Sequence, residues 1–93
     1  MDRTTFETAL TRDGFEVVSI TMQPDAVNAT HVHPFDARLL LVDGTVFIDR
    51  EGTPRETYHT GDTWEITNGT RHSETAGAAG ATYVAGRRLP AKQ

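Results

Sequence analysis

Residues 28–44 read NATHVHPFDARLLLVDG, with His31 and His33 one residue apart in a segment otherwise typical of a strand. In extended backbone, residues i and i+2 project to the same face. The two imidazoles therefore stand side by side, roughly 7 Å apart along the strand, and Val32 points the other way. Two neutral imidazoles at that spacing can close on one metal ion, although such pairs also occur on ordinary surfaces. The chain has four histidines, the others being His59 and His72. His72 follows the Asn68-Gly69 turn by three residues, at the start of a late strand. In an antiparallel barrel a late strand can run beside an early one and bring a third imidazole to the pair. Three imidazoles, with or without a carboxylate, suit a divalent Fe, Mn, Zn, Ni or Cu ion. The acid nearest the pair is Asp36. His59 is expected to face solvent, because Tyr58 beside it is the better core residue.

These residues need a scaffold, and the rest of the chain reads as short strands and turns. Thr4-Thr5-Phe6-Glu7 has the form of a capping box, with Thr4 as N-cap. It predicts a short helix over 5–10 that places Phe6 and Leu10 on one face and stops at Asp13-Gly14. After it, strands are predicted over 15–22, 29–33, 39–42, 45–48, 56–58, 63–66, 71–75 and 82–85. The apolar run Leu39–Val42 has the character of a strand buried on both faces. Asp43-Gly44, the stretch from Arg50 to Pro54, Gly61-Asp62 and Asn68-Gly69 read as turns, and Ala76–Gly80 as a flexible hairpin loop. Strands at about ten-residue spacing indicate an all-β sandwich or barrel. The 93 residues make one domain, with 1–12 as helix or arm, 13–88 as barrel and 89–93 as tail.

Composition excludes several classes. Hydrophobic residues are 37% and charged residues 24%, which suits a folded globular chain rather than a disordered one. A net charge of −4 argues against nucleic acid, whose phosphates require a basic patch. Without cysteine there is no disulfide, thiolate ligand or cysteine nucleophile. The opening MDRTTFETALTRDG has no apolar leader segment and no run is long enough to span a bilayer, so the expectation is a cytoplasmic protein without membrane contact.

At the level of motifs the chain resembles a small single-domain cupin. The first motif of that family is G-x5-H-x-H-x3,4-E-x6-G and the second is G-x5-P-x-G-x2-H-x3-N. His31-Val32-His33 matches the first, with Gly44 as its closing glycine. Gly61-Asp62 opens the second, Gly69 is its second glycine, and His72 falls on its histidine. The resemblance implies a double-stranded β-helix, that is, a jelly-roll-like antiparallel barrel, over about 31–86. It also implies metal ligation by His31, His33 and His72, and a homodimer using edge strands or the N-terminal segment. There are departures. Counted back from Gly44, the glutamate slot holds Ala37, one residue after Asp36. A bulge at Pro34-Phe35 would turn Asp36 inward as a ligand, whereas a regular strand would point it away, to cap the turn or pair with Arg38. Thr67 stands for the proline and Ala76 for the final asparagine, and the leading glycine is missing.

If the histidines face inward, Ala29, Leu39 and Leu41 join them, with Trp64 and Ile66 as core. Phe35, Phe47 and Tyr83 are candidates for the pocket mouth or for simple packing. Glu74 shares the face of His72, either as a general base beside a metal or as a rim residue in water. Glu65 alternates away from Trp64. Arg38 and Arg71 are candidate holders of a substrate carboxylate or members of surface ion pairs, and the pair Arg87-Arg88 reads as a solvated or salt-bridging edge. Two functions stay open: a metal-dependent enzyme such as a dioxygenase, isomerase or decarboxylase, and a non-catalytic module that binds or senses a small molecule. A purely structural metal is the third.

Overall fold

The computed structural model describes residues 1–90, so the end of the expected tail, residues 91–93, lies outside the described residues. The elements are α1 (Arg3–Arg12), β1 (Glu16–Met22), β2 (Val27–His31), β3 (Asp36–Arg50), β4 (Glu56–His59), β5 (Thr63–Ile66) and β6 (His72–Arg88). All pairings are antiparallel, in one six-stranded sheet folded on itself.

The two long strands β3 and β6 pair along nearly their whole lengths, and each belongs to both layers. The first half of β3 and the second half of β6 form one layer, flanked by β5 and β1. Their other halves form the second layer, flanked by β4 and β2. This corrects two expectations. Asp43-Gly44 is not a hairpin turn, and 76–80 is not a loop; both are bends inside continuous strands. The β3–β6 register shifts on either side, between Leu41 and Asp43 and between Gly44 and Val46. The physical reason is close approach. Gly44 sits at φ +95°, and a Cβ there would lie 2.1 Å from the carbonyl oxygen of Gly80. The glycines let two backbones cross where a side chain would hold them apart.

The helix is longer than predicted and differently capped. Asp2 is the N-cap, accepting from the Thr5 amide at 3.1 Å and the Thr5 hydroxyl at 2.6 Å. Glu7 pairs with Arg3 instead of closing a capping box. Phe6 and Leu10 do share a face, and they pack with Phe15, Leu40 and Val84 on the outside of the first layer. Gly86 lets the helix settle there, since a Cβ would lie 2.5 Å from a Leu10 methyl. Leu39 and Leu41 point instead into the space between the layers, with Val46, Ile48, Trp64 and Ile66. The 39–42 run is thus buried on both faces, as its pattern predicts. Each fully buried aliphatic side chain contributes about 1.5–3 kcal/mol, so this interior is what holds the layers together.

Candidate metal centre

Strand alternation puts His72, Glu74 and Ala76 of β6 on the inner face of the second layer, and all three are buried. β2 runs beside them, pairing Asn28 with Glu74 and His31 with His72, with a register shift between. That pairing joins the early histidines to the late one. β2 ends at His31, so His33 lies just past the strand and is anchored by its carbonyl, which accepts from the Gly69 amide at 2.9 Å. Val32 points away and is 50% exposed.

The three imidazoles and the Glu74 carboxylate converge, each offering a ligand atom within 4.8 Å of the others. His31 Nε2 is 3.1 Å from His33 Nε2 and 3.4 Å from Glu74 Oε1. His72 Nε2 is 3.8 Å from the same Oε1. Two imidazole nitrogens each about 2.0–2.1 Å from a shared ion would be roughly 2.9–3.4 Å apart, so the histidine pair is already at ligand spacing.

Tautomers favour the same use. His72 Nδ1 lies 2.9 Å from the Thr70 carbonyl, and His31 Nδ1 lies 2.6 Å from the Ala29 carbonyl. A carbonyl only accepts, so each Nδ1 carries the proton and each neutral ring turns an Nε2 lone pair toward the cluster. His72 Nε2 is buried and has no hydrogen-bond partner. Such an orphaned atom is costly in an interior, and a cation is the natural partner for a lone pair. The donor set therefore fits a divalent transition ion.

Glu74 is only 6% exposed, which removes the reading of a rim residue in water. Its Oε2 accepts from the Tyr83 hydroxyl at 3.1 Å, leaving Oε1 toward the histidines. Burial, then the Glu74 charge, pushes the Tyr83 hydroxyl far above its ordinary pKa, so it stays a donor. His33 is held below 6.5 by desolvation first, then by His31 and His72. The folded chain therefore resists a proton that the unfolded chain takes up as pH falls through 6.5. Stability should rise with pH across the window just below 6.5 and fall on acidification. Thermal unfolding of chelator-treated protein from pH 7.5 to 5 should show this slope, flattened in His33→Ala; equal slopes in both would refute the assignment.

The other predicted residues are placed as follows. Asp36 is outside the cluster: its Oδ1 accepts from the Asn68 amide and side chain, both at 2.9 Å, and these bonds hold its pKa below the usual carboxylate value. The register is the reason, because Ala37 faces in and its neighbour must face out. Arg38 lies on the outer side, over the Phe15 ring and paired with Asp13 at 2.9 Å and Glu65 at 3.4 Å. Arg71 pairs with Glu51 at the surface. Phe47 alternates away from buried Val46 and Ile48 and packs under Arg55, away from the site. Phe35 and Tyr83 do line the cavity beside the histidines, a space of about 460 Å³ completed by Leu39, Ile66 and Ala85. Its wall also holds Arg87, which sequence reasoning left as an edge residue. The available signal was its parity with Tyr83 along one strand. His59 is exposed and is not among the converging residues.

No protein-family model matches the sequence, and no curated protein matches it significantly. Solved structures do match. A cupin-like protein from Thermotoga maritima is 23% identical with a TM-score of 0.72, over 78% of this chain and 56% of that one. An RmlC-like cupin from Shewanella frigidimarina is 18% identical with a TM-score of 0.71, over 85% and 68%. The DMSP lyase DddQ from Ruegeria pomeroyi is 17% identical with a TM-score of 0.76, over 87% of this chain and 41% of the lyase. Likeness at these identities is likeness of fold: the chain has the cupin fold. It spans little more than half the length of the Thermotoga protein and less than half that of the lyase. Among the described residues, no helix is long and apolar enough to cross a membrane.

Proposed function

We propose that this chain is a metal-binding cupin in which His31, His33 and His72, with Glu74 as fourth donor, hold one divalent Fe, Mn, Zn, Ni or Cu ion. The adjoining cavity takes a small organic molecule, as in a metal-dependent oxygenase or isomerase. The observation that carries this reading is the buried, unpartnered Nε2 of His72, aimed where the other three donors converge. Bound there, the ion would act as a Lewis acid that polarises the ligand. The chain's own part is orientation. Thr70 and Ala29 set two tautomers, and Tyr83 holds Glu74 in one rotamer. Glu74 supplies the carboxylate that the Ala37 position lacks.

One observation supports a second reading, a module that binds or senses without catalysis. Both Glu74 oxygens are engaged once an ion is present, and among the described residues no other carboxylate lines the cavity, so none of them is a spare general base. Elemental analysis of untagged protein tests the metal itself. About one equivalent of a divalent transition ion is expected, as purified or after titration with each of the five. Failure of all five to bind would end the proposal. For the quaternary state we propose a homodimer built on edge strands, since among the described residues β1 and β2 each pair on one side only. A monomer mass by light scattering would refute it.

A further inference from the structure

We propose that the cavity selects small organic anions, and that Arg87 is the residue that clamps the carboxylate. The inference deepens the ligand-binding reading above and rests on it for the location of the ligand. Position comes first. Tyr83, Ala85 and Arg87 alternate along β6 onto the cavity face, whereas Val84, Gly86 and Arg88 face the helix side. Arg87 pairs in register with Ala37, another wall residue, which places it at the same level as the cavity.

Availability comes second. Arg3, Arg12, Arg38, Arg50, Arg55 and Arg71 each hold a carboxylate. Arg88 donates to the backbone carbonyl of Asp13 at 2.8 Å. Among the described residues Arg87 has no oxygen partner. Its guanidinium rests on the Phe35 ring, 5.1 Å from the centroid. Stacking uses the face of the guanidinium and leaves its N–H edges unspent, which is the geometry that takes a carboxylate in a bidentate fork. Charge comes third. Among the described residues Glu74 and Arg87 are the cavity's only acid and only arginine, so their wall is formally neutral before an ion arrives and divalent positive afterwards. An anionic ligand is the complement of that cavity, and an apolar one of equal size is not.

The test compares succinate with its uncharged isostere succinamide by calorimetry, on wild type, Arg87→Gln and Arg87→Lys, with and without cobalt(II). Succinate should bind wild type at least tenfold more tightly than succinamide. Arg87→Gln should weaken succinate at least tenfold and succinamide by clearly less, with cobalt stoichiometry unchanged, and Arg87→Lys should recover part of the loss. Equal succinate affinity in wild type and Arg87→Gln would overturn the proposal, as would no preference for succinate over succinamide. Cobalt stoichiometry reports separately on the metal reading. Arg87-dependent succinate binding by a protein that takes up neither cobalt nor any of the five ions named above would sustain the clamp and defeat the metal centre.

Discussion

Replacing His72 by alanine should lower the affinity for the transition ion by well over 100-fold. Loss of a residue that merely orients a ligand typically lowers metal affinity 10–100-fold, and His72 is one of the four donors of the proposed site, wholly buried, with no further His or carboxylate beside it among the described residues. The measurement is competition of wild type and His72→Ala against a chelator of known affinity, with His59→Ala as the exposed control. His59→Ala should match wild type. A His72→Ala protein that retained wild-type affinity would remove the central residue from the site. Stability should separate from binding. In the metal-free chain the unpartnered Nε2 carries a desolvation penalty of about 1–3 kcal/mol. His72→Leu removes that penalty and loses the bond to Thr70, two terms of similar size and opposite sign. The metal-free variant should therefore unfold within about 1 kcal/mol of the metal-free wild type. Added ion should raise the melting temperature of wild type only.

The second large effect concerns the bend that makes two layers from one sheet. Gly44→Ala should destabilise the chain by about 3 kcal/mol or more. Part of this is torsional, since positive φ costs an L-residue about 1–2 kcal/mol. The rest is steric, since the new methyl would lie 2.1 Å from the Gly80 oxygen and 3.0 Å from the Ala81 Cα. Backbone on both sides cannot rotate away as a flexible side chain could. In a domain of this length that corresponds to a melting temperature lower by roughly 12–24 °C. Gly52→Ala is the matched comparison: its φ is +85°, yet a Cβ there meets nothing within 4 Å. It should show the torsional part alone, about 1–2 kcal/mol. Equal melting temperatures for the two variants would show that the β3–β6 crossing tolerates a side chain and that the bend does not depend on glycine.

Much of this was legible from local chemistry. Alternation alone places Trp64 and Ile66 inward, Glu65 outward, and Leu39 to Leu41 on two faces, because side-chain direction in a strand depends only on parity. The same rule puts Glu74 on the face of His72. The motif resemblance implies that His72 joins His31 and His33, which strand spacing alone leaves open. Local reading fails at the two glycine segments. A glycine that would close a hairpin and one that lets two strands cross have the same local signature, and only the partner strand distinguishes them. The helix cap shifted from Thr4 to Asp2 for a related reason, since both are good caps and tertiary packing of Phe6 and Leu10 sets where the first turn begins.

The site divides along the same line. By itself the sequence determined that three imidazoles are available at strand spacing and that no thiolate competes with them, because residue type and parity are local properties. Which carboxylate joins them, and which arginine stands free, was decided by the tertiary structure. Asp36 is near His33 along the chain but faces Asn68, and Glu74 is remote but lies across the β2–β6 ladder from Asn28. Arg38 and Arg71 are spent on acids supplied by distant segments, while Arg87 is left on an aromatic ring beside the cavity. Partnership between charged groups depends on which strands are neighbours, and strand order is a property of the folded chain.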